Sequence, residues 1–129
     1  MHCIVLLGGY GNFGSRIAAA LAEEPNTRVV IAGRDVAKAS SLSALVGGNT
    51  EAHALDHEEP NLAERLRAVG ATLVVHTPGP FQAQSYSVAR ACIEARCHYL
   101  DLADGRDFVA NIGMLNDAAV KNGVVLVSG

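Results

Sequence analysis

Gly9-Tyr10-Gly11-Asn12-Phe13-Gly14 decides the reading of this chain. It fits the pattern G-x-G-x-x-G and stands between an apolar run, Cys3–Leu7, and a helix-patterned stretch, Asn12–Glu24. Each glycine has a predicted task. Gly9 permits a tight turn, Gly11 lets the backbone approach a pyrophosphate, and Gly14 lets the helix pack on the strand. The helix N-terminus then offers unpaired N–H groups and partial positive charge to phosphate. The same residues also fit G-x-x-G-x-x-G through Gly8, Gly11 and Gly14, so the turn alone does not select a family.

Outward from the turn, short apolar runs alternate with amphipathic stretches. Strands are expected at Arg28–Ala32, Glu51–Leu55, Ala71–His76, His98–Leu102 and Val124–Val127. Helices are expected from Asp35, as N-cap, through Val46, and at Leu62–Val69, Ser85–Ala95 and Val109–Asn122. Gly47, Gly70 and Gly123 close three of them. This alternation predicts an α/β Rossmann-type fold, a doubly wound parallel six-stranded sheet in three layers, with order 3-2-1-4-5-6. Ligand is then expected at the carboxyl ends of the strands, near the switch point between strands one and four.

In an NAD-binding unit an acid for the ribose 2′-hydroxyl stands about 20 residues past the third glycine. That position here is Arg34, after a small Gly33 that leaves room for a phosphate. A guanidinium suits a 2′-phosphate, so the predicted cofactor is NADP; the alternative is NAD, with Asp35 on the ribose. Lys38 stands one helical turn further on, as a second positive charge or a plain surface lysine. Asp56, after strand three, either accepts from the adenine amine or caps a turn. Thr77, Pro78 and Gly79, after strand four, form a loop predicted to face the nicotinamide half, with the Thr77 hydroxyl turned toward it. His76 reads as a core or edge residue rather than a proton carrier. Asp101, Asp104 and Asp107 read as capping and solvated acids, without metal-ligand spacing.

Composition narrows the function classes. The chain has 129 residues, half of them hydrophobic, and a net charge of −3. One domain with a real core fits that length. A mildly acidic chain is a poor match for nucleic acid or an anionic membrane. No stretch approaches the ~18 apolar residues a membrane helix needs, and the first residues lack a signal peptide's basic region. Cys3, Cys92 and Cys97 make an odd set without paired spacing, the pattern of buried reduced thiols in a cytoplasmic protein.

A catalytic set is harder to find. Tyr86-Ser87-Val88-Ala89-Arg90 is the nearest match to the Tyr-x-x-x-Lys of short-chain dehydrogenases, but it has Arg for Lys and follows strand four too early. The chain has only Lys38 and Lys121, and neither follows a Tyr by four. Catalytic residues therefore stay unassigned.

Taken with Ala32-Gly33-Arg34, His76-Thr77-Pro78-Gly79-Pro80-Phe81 and His98-Tyr99-Leu100-Asp101-Leu102, the glycine turn resembles the N-terminal NAD(P)-binding domain of the saccharopine dehydrogenase family. The resemblance covers nearly the whole chain. It implies an NADP-dependent oxidoreductase whose substrate domain follows strand six, acting on a small molecule such as an amino-acid-derived secondary amine. It also implies cofactor contacts from Gly9, Tyr10, Gly11, Asn12 and Phe13, from Arg34, and from Thr77 to Gly79. Tyr99 and Asp101 match a block near the substrate cleft, where a structural role is an equal alternative. Residues 1–129 are then expected to be the cofactor domain alone, not catalytic by itself, and compatible with a homodimer. The competing expectations are a non-catalytic NADP-sensing or interaction module, or another oxidoreductase or epimerase sharing the fold.

Overall fold

A computed structural model describes residues 1–77 and 85–129. Pro78, Gly79, Pro80 and Phe81 lie outside those residues. The strands are β1 (His2–Leu7), β2 (Thr27–Gly33), β3 (Thr50–Ala54), β4 (Leu73–His76), β5 (His98–Asp101) and β6 (Leu126–Val127). The helices are α1 (Asn12–Leu21), α2 (Val36–Val46), α3 (Leu62–Val69), α4 (Ser87–Ala95), α5 (Arg106–Asn111) and α6 (Asn116–Lys121). All sheet pairings are parallel and the order is β3-β2-β1-β4-β5-β6, as the alternation predicts.

Strand side chains alternate between faces, so each central strand must be apolar throughout to be covered on both sides. Val29, Val30, Ile31 and Ala32 of β2 are all fully buried. On one face Leu6, Val29, Ile31 and Val75 pack with Ala18 of α1 and Ala39 of α2. On the other, Val5, Leu7, Val30, Val74 and Tyr99 pack with α3, α4 and α6 through Leu66, Cys92, Ile93 and Ala119. Each large aliphatic side chain so buried contributes about 1.5–3 kcal/mol. The three cysteines are free and buried. Among the described residues no helix is long and apolar enough to cross a membrane.

Three helices depart from the expected spans, α4 by beginning at Ser87 rather than Ser85. The first helix stops at Leu21, short of Glu24. The expected helix Val109–Asn122 begins earlier, at Arg106, and breaks into α5, a 3-10 turn at Ile112–Leu115, and α6. The Tyr86 hydroxyl donates to the Phe108 carbonyl at 2.6 Å, claiming the acceptor that the next helical turn would use. Gly113 stands in the broken turn and lowers helix propensity there.

Candidate dinucleotide site

The β1–α1 turn forms the floor of a groove of about 340 Å³ at the carboxyl edge of the sheet. The φ of +74° falls on Gly8, so Gly8 rather than the expected Gly9 makes the tight turn. Gly9 is needed for space instead: a Cβ there would lie 2.8 Å from Leu6 Cβ. At Gly14 a Cβ would lie 2.6 Å from Gly9 Cα and 2.7 Å from the Gly8 carbonyl oxygen, so α1 seats directly on the turn. At Gly11 it would meet only the Gly8 oxygen, at 3.3 Å, and otherwise open space.

Helix α1 opens into this groove with Gly11 as N-cap, no side-chain capping bond and no acid in its first turn. Asn12 and Phe13 stand exposed there, Phe13 at 65% of its surface. This end of the helix therefore keeps its positive dipole for a ligand.

Arg34 lines the same groove. Its Nε lies 3.6 Å from Asp56 Oδ1 and its Nη2 lies 3.4 Å from His57 Nε2. The side chain stays 63% exposed, so this pairing orients the guanidinium without consuming it. Asp56 also accepts the Glu58 N–H at 2.9 Å, which is the turn-capping alternative. Asp35 spends its carboxylate as the N-cap of α2, accepting the Lys38 N–H at 3.1 Å. Lys38 itself lies with Tyr10 and Asp35 in a shallower depression outside the groove.

Two of the expected groups already have partners within the chain. The space above Gly33 is filled by the Tyr10 ring, not left open for phosphate; a Cβ at Gly33 would lie 2.7 Å from Tyr10 Cζ. Thr77 lines the groove, but its hydroxyl donates to the Leu7 carbonyl at 2.7 Å, tying the exit of β4 to β1. Hence Tyr10, Gly11, Asn12, Phe13, Gly14, Arg34 and Thr77 share one groove; Gly9 lies beneath it and Asp56 behind Arg34.

His57 is the groove residue that sequence reasoning passed over. Its position directly after Asp56, at the ligand edge of the third strand, was the available signal. Its ring centroid lies 5.5 Å from that of His76, which is almost fully buried. Beyond His76 runs a buried polar chain. Tyr99 donates its hydroxyl proton to Asp101 Oδ2 at 2.6 Å, and the Tyr99 oxygen lies 3.3 Å from His76 Nδ1. With that proton committed to Asp101, the pair requires Nδ1–H of His76 as donor. Burial pushes the Tyr99 phenol well above its usual range, Asp101 adding to it. Asp101 also accepts the Ala103 N–H at 3.0 Å, Ser128 Oγ at 2.9 Å and the Gly129 N–H at 3.1 Å. It is 2% exposed, a buried hub rather than the expected solvated acid.

Burial, with His57 nearby, lowers His76 from 6.5 to about 4, against a smaller upward pull from Asp101. In the folded chain it stays neutral until about pH 4, whereas the unfolded chain titrates it near 6.5. Between these values the unfolded chain binds more protons, so stability falls as pH drops. The full shift is worth about 3 kcal/mol. Urea unfolding at pH 7 and pH 4 should therefore show a loss smaller by about that amount in His76→Gln than in the wild type. Equal losses in the two proteins would refute the assignment.

A parallel sheet with its switch point between β1 and β4, and a glycine turn into an uncapped helix at that point, define a Rossmann-type dinucleotide-binding fold. The profile of the saccharopine dehydrogenase NADP binding domain matches residues 4–127, and the chain belongs to that family. Apo saccharopine dehydrogenase (L-Glu forming) from Saccharomyces cerevisiae is similar in structure, with TM-score 0.77 and 19% identity over 99% of this chain and 27% of that one. RhlG from Pseudomonas aeruginosa, in an NADP active-site complex, has TM-score 0.69 and 17% identity over 99% of this chain and 71% of its own. GenD2 from gentamicin A biosynthesis, in complex with NAD, has TM-score 0.67 and 24% identity over 99% and 34%. The chain thus spans about a quarter of the yeast protein and a third of GenD2. Among curated proteins no sequence matches it.

Proposed function

We propose that this chain is the cofactor-binding half of a two-domain, NADP-dependent oxidoreductase. NADP lies along the groove, its pyrophosphate at the α1 N-terminus on Gly11, Asn12, Phe13 and Gly14, and its 2′-phosphate on Arg34. The Thr77 side, with Pro78 and Gly79 beyond it, takes the nicotinamide half. Hydride transfer is the cofactor's chemistry; these residues hold and orient it. A second domain supplies the pocket for a small-molecule substrate, an amino-acid-derived secondary amine by family likeness. A cytoplasmic location and a homodimer complete the proposal.

The observation that supports NADP over NAD is how the end of β2 divides its charges. Asp35 is committed to capping α2, while Arg34 stands exposed at the groove. Calorimetric titration of the purified chain tests this. NADPH is expected to bind more tightly than NADH, and Arg34→Ala to weaken NADPH about 30-fold while moving NADH little, the scale of one charge-assisted contact. Tighter binding of NADH by the wild type would overturn the NADP assignment.

A further inference from the structure

Tyr10 stands where the glycine turn meets the end of β2. Its ring packs so closely on Gly33 that a Cβ there would lie 2.5 Å from Oη and 2.7 Å from Cζ, so the ring would have to move to admit one. Its hydroxyl oxygen accepts the backbone N–H of Asp35 at 3.2 Å. The two contacts brace opposite sides of one corner. Gly33 gives its side-chain space to the ring, and Asp35 gives its amide to the hydroxyl. The Asp35 carboxylate is meanwhile turned into α2, on the Lys38 N–H. Of these three successive residues, Arg34 alone projects its side chain to the groove rim, where Asp56 and His57 steady it.

An unbraced corner would let Asp35 leave its cap and swing its carboxylate toward the ribose. A carboxylate there attracts a 2′-hydroxyl and repels a 2′-phosphate, so the state of this corner selects between the two cofactors. We infer that Tyr10 is a positioning residue for cofactor selectivity: its hydroxyl and ring hold the Gly33–Asp35 corner so that Arg34, not Asp35, meets the adenosine ribose. The inference rests on the proposal that this groove binds a nicotinamide dinucleotide with Arg34 on the 2′-phosphate.

The test measures dissociation constants for NADPH and NADH on the same chain, as wild type, Tyr10→Phe, Gly33→Ala, Tyr10→Ala and the Tyr10→Ala, Gly33→Ala double variant. Tyr10→Phe keeps the ring and removes only the bond to the Asp35 amide. The NADPH preference is expected to fall about fivefold, the factor carried by one ordinary hydrogen bond. Gly33→Ala expels the ring and is expected to lower the preference at least as far, yet to change it no further once Tyr10 is already Ala. A purely structural role would weaken both cofactors equally and leave their ratio unmoved. A wild type that prefers NADPH with an unchanged ratio in Tyr10→Phe overturns this inference and leaves the cofactor assignment standing. A wild type that binds neither cofactor, or shows no preference, overturns both. Tyr10→Phe decides the matter even if Gly33→Ala fails to fold.

Discussion

Asp101→Ala is expected to cost about 4 kcal/mol of folding stability, seen as a lower urea midpoint at unchanged slope. The carboxylate gathers the Tyr99 hydroxyl, the Ala103 amide, the Ser128 hydroxyl and the Gly129 amide, from both ends of β5 and from beyond β6. Truncation leaves the Tyr99 hydroxyl and Ala103 amide without their acceptor inside the protein, at about 1–3 kcal/mol for each unsatisfied buried group. Asp101→Asn should fall between, because its amide nitrogen replaces one acceptor with a donor facing donors. A loss below about 1 kcal/mol for Asp101→Ala would mean that this hub does not hold the sheet edge.

Gly14→Ala is expected to weaken dinucleotide binding severely and to cost about 3 kcal/mol of stability. The added Cβ would press on Gly9 Cα at 2.6 Å, Gly9 C at 2.9 Å and the Gly8 oxygen at 2.7 Å. All three are backbone atoms of a turn that cannot yield without moving α1. Moving α1 withdraws the helix end that faces the groove, so affinity for NADPH should fall at least ~100-fold. For a chain of this size the stability loss corresponds to a fall in Tm of about 10 °C. Thermal unfolding and calorimetry on one preparation check both, and a variant that binds and melts like the wild type would refute the packing account.

The sheet was legible because its physics is local. Runs apolar on both faces, such as Val29–Ala32, suit central strands of a parallel sheet, and their alternation with helix-patterned stretches closed by glycines selects that arrangement. The break in the last helix was not legible, because it depends on Tyr86 reaching Phe108 from another element. The glycine turn was legible as a motif, while the work of its members was not. Gly8 takes the positive φ that Gly9 was expected to need, and Gly33 has the Tyr10 ring packed against it. Both outcomes depend on what packs nearby, which spacing does not encode. The His76–Tyr99–Asp101 chain shows the same limit. Both blocks stood out in the sequence, but only the β4–β5 register, with His76 beside Asp101 and Val74 beside Tyr99, joins them on one face. His57 was missed because it lies past the end of β3, where periodicity stops carrying information.

On the proposed function, the groove between the glycine turn and the end of β2 binds NADP. The most direct test of this binding is a titration of the isotopically labelled chain with NADPH, followed through the backbone amide resonances. Saturable shifts are expected, centred on Gly11, Asn12, Phe13, Gly14 and Arg34, with the amides of α6 and β6 unmoved. Absence of saturable shifts, or shifts centred away from the β1–α1 turn, would contradict it.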